Sequence, residues 1–293
     1  MKKGFDRNEM LWGYLMVSPY VIGLLLFVIG PVIAAVFISF TQYSMYEAPQ
    51  WIGFSNYREL WNDMTYWKAL RNTLYFSVLF VPFQILAALM LAVALKRAIR
   101  GISWIRTSFF IPVVSSWVAV SLLWYWIYNP RFGLLNYILQ TFGIPGLSWL
   151  DDPKLVIPCL VLVAVWKGAG YMMVILLAGL QGIPEQLYEA ATIDSANRWQ
   201  QFRHVTLPLL SPTLFLVIII SVIWSVNAFD QVYVMTNGGP SNSSLVLGLY
   251  LYNNAFKWFR MGYASSIAWT MFGILLILSG IQFATQKKWV HYS

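Results

Sequence analysis

Lys167 stands near the middle of an apolar run, in the local sequence WKGAGY, with Trp166 and Tyr171 beside it. At that depth its ammonium cannot easily reach water, so an ionisable group there is a functional candidate by default. It either lines a pathway or belongs to a structural ion pair or a water-filled crevice. A later apolar run carries Ser221, Ser225, Asn227 and Asp230, and an earlier one carries Ser115, Ser116 and Trp117 after Pro112. Asp230 lies near the end of its run and is read as a structural contact ahead of a ligand group. Covalent chemistry has little to work with. Cys159 is the single cysteine and lies in an apolar run, where it packs. His204 and His291 cannot make a metal site alone, and H-E-x-x-H, the P-loop and G-x-S-x-G are absent.

A second set of chemical groups lies in EQLYEAATIDSANRWQQFRHVTLPLLSP, residues 185–212, a charged passage between two apolar runs. Pro184 suits the first turn of a helix, and Glu185 suits its positive end. Leu187, Ala190 and Ala191 share one side, with Glu189 beside them. Asp194-Ser195 offers a cap or turn. A second short helix carries Trp199, Phe202 and Val205, and Pro208 is expected to stop it. The pattern predicts helix, turn and helix on a membrane face. The acidic first helix would be repelled by anionic lipid, which favours a protein partner over a lipid surface.

The elements that must position these groups follow from composition. Of 293 residues, 59% are hydrophobic and only 10% are charged, against about 25% charged in a soluble domain. The chain lacks the polar surface to dissolve a globule of its size, and the apolar residues come in long blocks. The reading is an all-α integral membrane protein with six spans, near 14–40, 73–95, 108–128, 155–180, 213–235 and 264–285, forming one domain over residues 1–293. The third span is expected to kink at Pro112. The first run is about twice the length of a signal-peptide h-region and is read as a span. The net charge of +8 is scattered through short loops, so no nucleic-acid partner is expected.

Orientation comes from the basic residues. Lys2, Lys3, Arg7, Lys96, Arg97, Arg100, Arg106, Arg198, Arg203, Lys287 and Lys288 fall on one side. The loop KRAIRGISWIR, with four basic residues and no acid, decides it: both termini and residues 181–212 are cytoplasmic. The outer loops mix aromatic and polar residues. Trp51, Trp61, Trp67, Trp149, Trp258 and Tyr263 fit interfacial belts, as do Trp124, Tyr125 and Trp126. Gly238-Gly239-Pro240 predicts a tight outer turn.

EAATIDSANRWQQFRHVTLPLL resembles the EAA loop of ABC importer permeases. That family's pattern is EAA, then Asp-Gly-Ala, then a hydrophobic residue before Leu-Pro. It is matched by Glu189, Ala190, Ala191, Asp194, Ala196, Leu207 and Pro208. Ser195 departs from it, standing where the family usually has Gly, and a positive φ costs more for Ser. Six further stretches are similar, in order, to segments of the carbohydrate-uptake, maltose-type branch. They include SPYVIGLLLFVIGPVIAAVFISF, SWLDDP, WKGAGYMMVILLAGLQGIPEQLYEAA and FDQVYVMTNGGPSNSSLVLGLYLYNNAF.

The resemblance implies the type I ABC importer permease fold in a bacterial cell membrane. It also implies a machine with a second homologous permease chain, two ATP-binding cassette subunits and an external solute-binding protein. The solute would be a sugar or oligosaccharide. ATP and Mg would bind the partner ATPases, leaving this chain non-catalytic and without a cofactor of its own. Glu189, Ala190, Ala191, Asp194, Ser195, Leu207 and Pro208 would couple to the ATPase. A polyhydroxylated solute needs hydrogen-bonding groups and flat aromatic faces, which points to Trp166, Lys167, Tyr171, Asn227, Asp230, Ser116 and Trp117 for its path. Gly168 and Gly170 are read as helix-packing residues. Other solutes, such as glycerol phosphate or a polyamine, suit the same machine. A stand-alone secondary transporter would need inverted repeats and intramembrane acids, and Asp230 is the only acid in a span.

Overall fold

The computed structural model describes residues 7–96 and 100–291. Lys2, Lys3 and Arg97, three charges that enter the orientation argument, lie outside the described residues. The helices, in order, are α1 (Arg7–Leu24), α2 (Gly30–Ser39), α3 (Ser55–Asn62), α4 (Met64–Leu95), α5 (Ile102–Val114), α6 (Trp117–Ile127), α7 (Leu134–Thr141), α8 (Val156–Gln181), α9 (Glu185–Ile193), α10 (Arg198–Gln201), α11 (Leu207–Val226), α12 (Asp230–Met235), α13 (Leu247–Tyr252) and α14 (Met261–Gln286). π-Helical turns join α1 to α2 (Leu25–Ile29) and α10 to α11 (Phe202–Thr206), and a third follows α13 (Asn253–Lys257). Among the described residues, five helical stretches are long and apolar enough to cross a membrane, with a sixth if the pair α5–α6, bent by 98°, is one span.

The chain divides into two compact units. The first holds Met1–Asn62 and Leu251–Thr270. Its short strands β1 (Thr41–Gln42) and β2 (Gln50–Trp51) pair antiparallel, with Thr41 opposite Trp51. Asn56 Nδ2 donates to the carbonyls of Ser39 (2.8 Å) and Thr41 (2.9 Å), which fastens α3 to the end of α2. Gly262 has no room for a side chain, because a Cβ there would lie 2.0 Å from the Thr41 carbonyl oxygen. Tyr263 departs from its expected place in an interfacial belt. It is buried, and the guanidinium of Arg260, which pairs with Glu59, lies 4.5 Å from its ring centre.

The second unit holds Asp63–Tyr250 and Met271–Ser293 and carries the candidate site. Its centre is α4, α8 and α11, packed through Ala88, Ala92, Met172, Met173, Leu176, Leu180, Leu210 and Val217. Lipid gives no hydrophobic drive between helices, so close backbone approach is what binds them. Gly170 meets that need: a Cβ would lie 2.0 Å from the Phe109 carbonyl oxygen, so α5 and α8 touch there. Outside the helices, the turn at Gly238-Gly239-Pro240 is tied to α4. Lys68 Nζ donates to the Ser241 carbonyl (2.6 Å), Asn72 Nδ2 to those of Asn242 and Leu245 (2.9 Å each), and Leu247 N to Thr73 Oγ1 (2.9 Å).

Two expectations about prolines are corrected, and one span holds a break. The chain between residues 108 and 128 is not a helix kinked at Pro112. α5 runs through Pro112 and ends at Val114, and the break falls at Ser115-Ser116, whose ψ angles of 144° and 137° are extended. The span expected near 213–235 holds an internal break, since α11 ends at Val226 and α12 starts at Asp230. Pro208, in contrast, stops nothing. It sits in the first turn of α11, directly after the π-helical turn, in helix that is unbroken from Arg198 to Val226. A π-turn widens the backbone, which makes room for a ring that would otherwise meet the carbonyl four residues back.

Candidate functional site

Two sets of residues come together in the second unit, one around a cavity and one in the loop after α8. The breaks in the spans create the first. A cavity of about 450 Å³ opens among α4, α5, α6, α8, α11 and α12, lined by Phe76, Phe80, Lys167, Tyr171, Trp224 and Asp230 with several neighbours. Asn227 and Asp230 lie at the two edges of the α11–α12 break, and both are exposed. Asn227 Nδ2 donates to the Ile223 carbonyl (2.9 Å), leaving its side-chain oxygen as an acceptor. Tyr171 and Trp224 place their rings 5.3 Å apart on one wall, and Phe76 and Phe80 stack at 5.7 Å on another. A cavity with broad aromatic faces and a few convergent polar groups is the usual form of a small-molecule site.

Lys167 lines this cavity but directs its hydrogen bonds elsewhere. Its Nζ donates to the carbonyls of Pro112 (2.8 Å), Val113 (3.0 Å) and Ser115 (2.8 Å), and lies 4.9 Å from the centre of the Trp117 ring. An ammonium has three donors, so all three are engaged, and Lys167 is only 5% exposed. The charge is held at the negative end of α5, where a cation is favoured.

Of the other residues picked out for a path, Tyr171, Trp117, Asn227 and Asp230 line the cavity. Trp166 and Ser116 do not. Trp166 packs its ring edge-on against Trp124 at 5.7 Å, and Ser116 stands at the N-terminal boundary of α6 without a side-chain cap bond. Ser221 and Ser225 are buried and bond back to carbonyls of their own helix, at 2.7 and 2.8 Å. Phe76, Phe80, Trp224 and Gln231 also line the cavity. Sequence reading passed over them because three are apolar residues inside apolar runs.

The second set is the loop. Gly182 ends α8, and Pro184 precedes α9 as its cap residue. At the far end Asp194 closes α9 and Ser195 adopts φ +60°. Ser195 N donates to the Thr192 carbonyl (3.0 Å) and Ala196 N to the Ala191 carbonyl (2.9 Å). This is a Schellman turn with serine at the left-handed position that glycine normally takes. The helix that follows is capped by Asn197, not by Asp194 or Ser195. Asn197 Oδ1 accepts from Gln200 N (3.0 Å), and Gln200 Oε1 accepts from Asn197 N (2.7 Å), a reciprocal capping box.

The two helices brace each other. Tyr188 Oη and Thr206 Oγ1 lie 3.0 Å apart, Gln201 Nε2 donates to Thr192 Oγ1 (3.0 Å), and Lys96 Nζ sits 4.2 Å from the centre of the Tyr188 ring. Glu189, Ala190, Asp194 and Ser195 are exposed, while Ala191, Leu207 and Pro208 are half-buried. Beside Glu189 the loop also exposes Ile193 (84%) and Trp199 (65%).

These features define a multi-pass membrane protein with a cavity among its spans and a hydrogen-bonded helical loop after α8. The chain belongs to the family of binding-protein-dependent transport system inner membrane components, whose family model matches residues 72–290. It is 38% identical over 298 residues to "Probable ABC transporter permease protein YesP" of Bacillus subtilis (strain 168), covering 100% of this chain and 96% of that one. It is 35% identical to "Lactose transport system permease protein LacF" of Rhizobium radiobacter, covering 98% and 97%. Its fold matches a chain of a bacterial ABC transporter involved in the import of the acidic polysaccharide alginate. That match has a TM-score of 0.85 and 24% identity, and covers 96% of both chains.

Proposed function

We propose that this chain is the transmembrane subunit of an ATP-driven importer for a sugar or oligosaccharide. The solute arrives from an external solute-binding protein and passes through the cavity between the broken spans. The aromatic wall of Tyr171 and Trp224, with Asn227 and Asp230 as hydrogen-bonding groups, suits a hydroxyl-rich ring better than a compact anion. The engagement of all three Lys167 donors removes the strongest argument for an anionic solute. A lactose-transport relative of equal length supports the sugar class.

The observation that carries the coupling role is the braced loop. Glu189, Ala190, Asp194 and Ser195, with Ile193 and Trp199 beside them, offer a rigid docking surface to an ATPase subunit, and the half-buried Ala191, Leu207 and Pro208 support it. ATP and Mg would be held by two such subunits, and a second homologous permease would complete the path. On this reading the loop at 181–212 and both termini face the cytoplasm. This chain performs no catalysis and holds no cofactor.

The first experiment is an affinity pull-down from native membranes in mild detergent, followed by mass spectrometry and uptake of radiolabelled mono- to tetrasaccharides. Co-recovery of a second permease and an ATPase, with ATP-dependent uptake of one of these sugars, is the expected result. Recovery of this chain alone, with transport intact in liposomes containing nothing else, overturns the proposal.

A further inference from the structure

The buried lysine and the broken third span explain each other. In a continuous helix the carbonyls of Pro112 and Val113 would accept from the N–H groups of Ser116 and Trp117, four residues on. Ser115 and Ser116 are extended instead, so those donors are lost. An unsatisfied carbonyl inside a bilayer costs several kcal/mol. Three carbonyls here find one partner, the Lys167 ammonium, at 2.8, 3.0 and 2.8 Å. The number of donors matches the number of acceptors. The 98° turn between α5 and α6 then places Trp117, first residue of α6, against both the ammonium and the cavity.

We propose that Lys167 is a positioning residue: by capping the end of α5 it holds the α5–α6 bend and sets Trp117 as a wall of the cavity. Its effect on the solute passes through that wall and not through contact with the solute. The inference rests on the cavity being the transport path, but its test does not require the solute. Gly170 supports the geometry, because the contact of α8 with Phe109 holds the two helices at the depth where the lysine can reach.

The test is a distance measurement by electron paramagnetic resonance in the assembled transporter. One spin-label pair replaces Trp104 and Trp126, exposed residues of α5 and α6, and a control pair replaces Met90 and Val174, exposed residues of α4 and α8. Lys167→Met should shift or broaden the Trp104–Trp126 distance and leave the control pair unchanged. Lys167→Arg, which keeps a donor-rich cation, should restore the distance. A second readout is the rate at which N-ethylmaleimide labels an Asn227→Cys variant, expected to change about tenfold in Lys167→Met as the cavity wall moves. If Lys167→Met does not assemble, Trp117→Leu keeps the test alive. It retains the carbonyl cap, so the distance should stay while the labelling rate changes. An unchanged Trp104–Trp126 distance in Lys167→Met, equal shifts in both pairs, or a shifted distance in Trp117→Leu would each overturn the proposal. Failure to find a transported sugar would leave these distances untouched.

Discussion

The cavity and the loop after α8 treat their polar groups in opposite ways. In the cavity the one buried cation satisfies the protein's own backbone: Lys167 closes three carbonyls and leaves the solvent-facing groups to Asn227 and Asp230. In the loop the internal bonds are made by neutral side chains, namely Tyr188 with Thr206, Gln201 with Thr192 and Asn197 with Gln200. That leaves Glu189, Asp194, Ile193 and Trp199 turned outward. The difference follows from solvent. Inside a bilayer a backbone break must be satisfied locally, so charge is drawn inward. In the loop the backbone is satisfied by caps and turns, so the charged side chains stay exposed.

The contrast can be broken first at Glu189. Glu189→Lys should reduce uptake by at least about 100-fold while membrane insertion stays normal, because a like-charge clash in an interface costs several kcal/mol. Uptake and surface expression measured together decide it, and normal uptake removes the docking role. The cavity side is sharpened by Trp224→Ala. Loss of one aromatic face should raise the half-saturating solute concentration about tenfold, with the maximal rate within about twofold. Equal losses in both constants would place Trp224 outside solute binding.

Smaller effects separate brace from surface. Tyr188→Phe removes only the hydroxyl that meets Thr206, a hydrogen bond with a net value of about 1 kcal/mol. Uptake should fall about twofold to threefold, and unchanged uptake would mean the brace is redundant. Ser195→Gly should act in the opposite direction. Glycine accepts the left-handed backbone that costs an L-residue ~1 kcal/mol, so hydrogen exchange of the Ala196 amide should slow about fivefold. Transport should remain within the range of the parent protein.

Legibility in the sequence followed the same division. The loop is one continuous segment, so its helix, turn and helix could be read from Pro184, Glu185 and Asp194-Ser195. Its apolar anchors stood in plain view. The turn even kept its left-handed residue with serine in place of glycine, because two hydrogen bonds flank it. The cavity draws on four distant stretches of chain, and only its polar members and the aromatic residues beside them could be seen in advance. Phe76, Phe80 and Trp224 were hidden because hydrophobicity in a span does not distinguish a lipid-facing side from a cavity-facing one. The breaks were misplaced for a related reason. Proline is the residue expected to kink a helix at 112 and stop one at 208, yet both prolines sit in helix; the breaks fall at Ser115-Ser116, where the distant Lys167 supplies the missing partner, and at Asn227–Phe229.

The chain is helical without a break from Arg198 to Val226. At ~1.5 Å per residue these 29 positions make a rod of roughly 40 Å. One tip is the capped end beside Trp199, and the other reaches Asn227 at the rim of the cavity. A break at Pro208 would have split that rod close to the loop; the π-turn and α11 instead run on without one. The loop and the cavity rim are thus the two ends of one helical element.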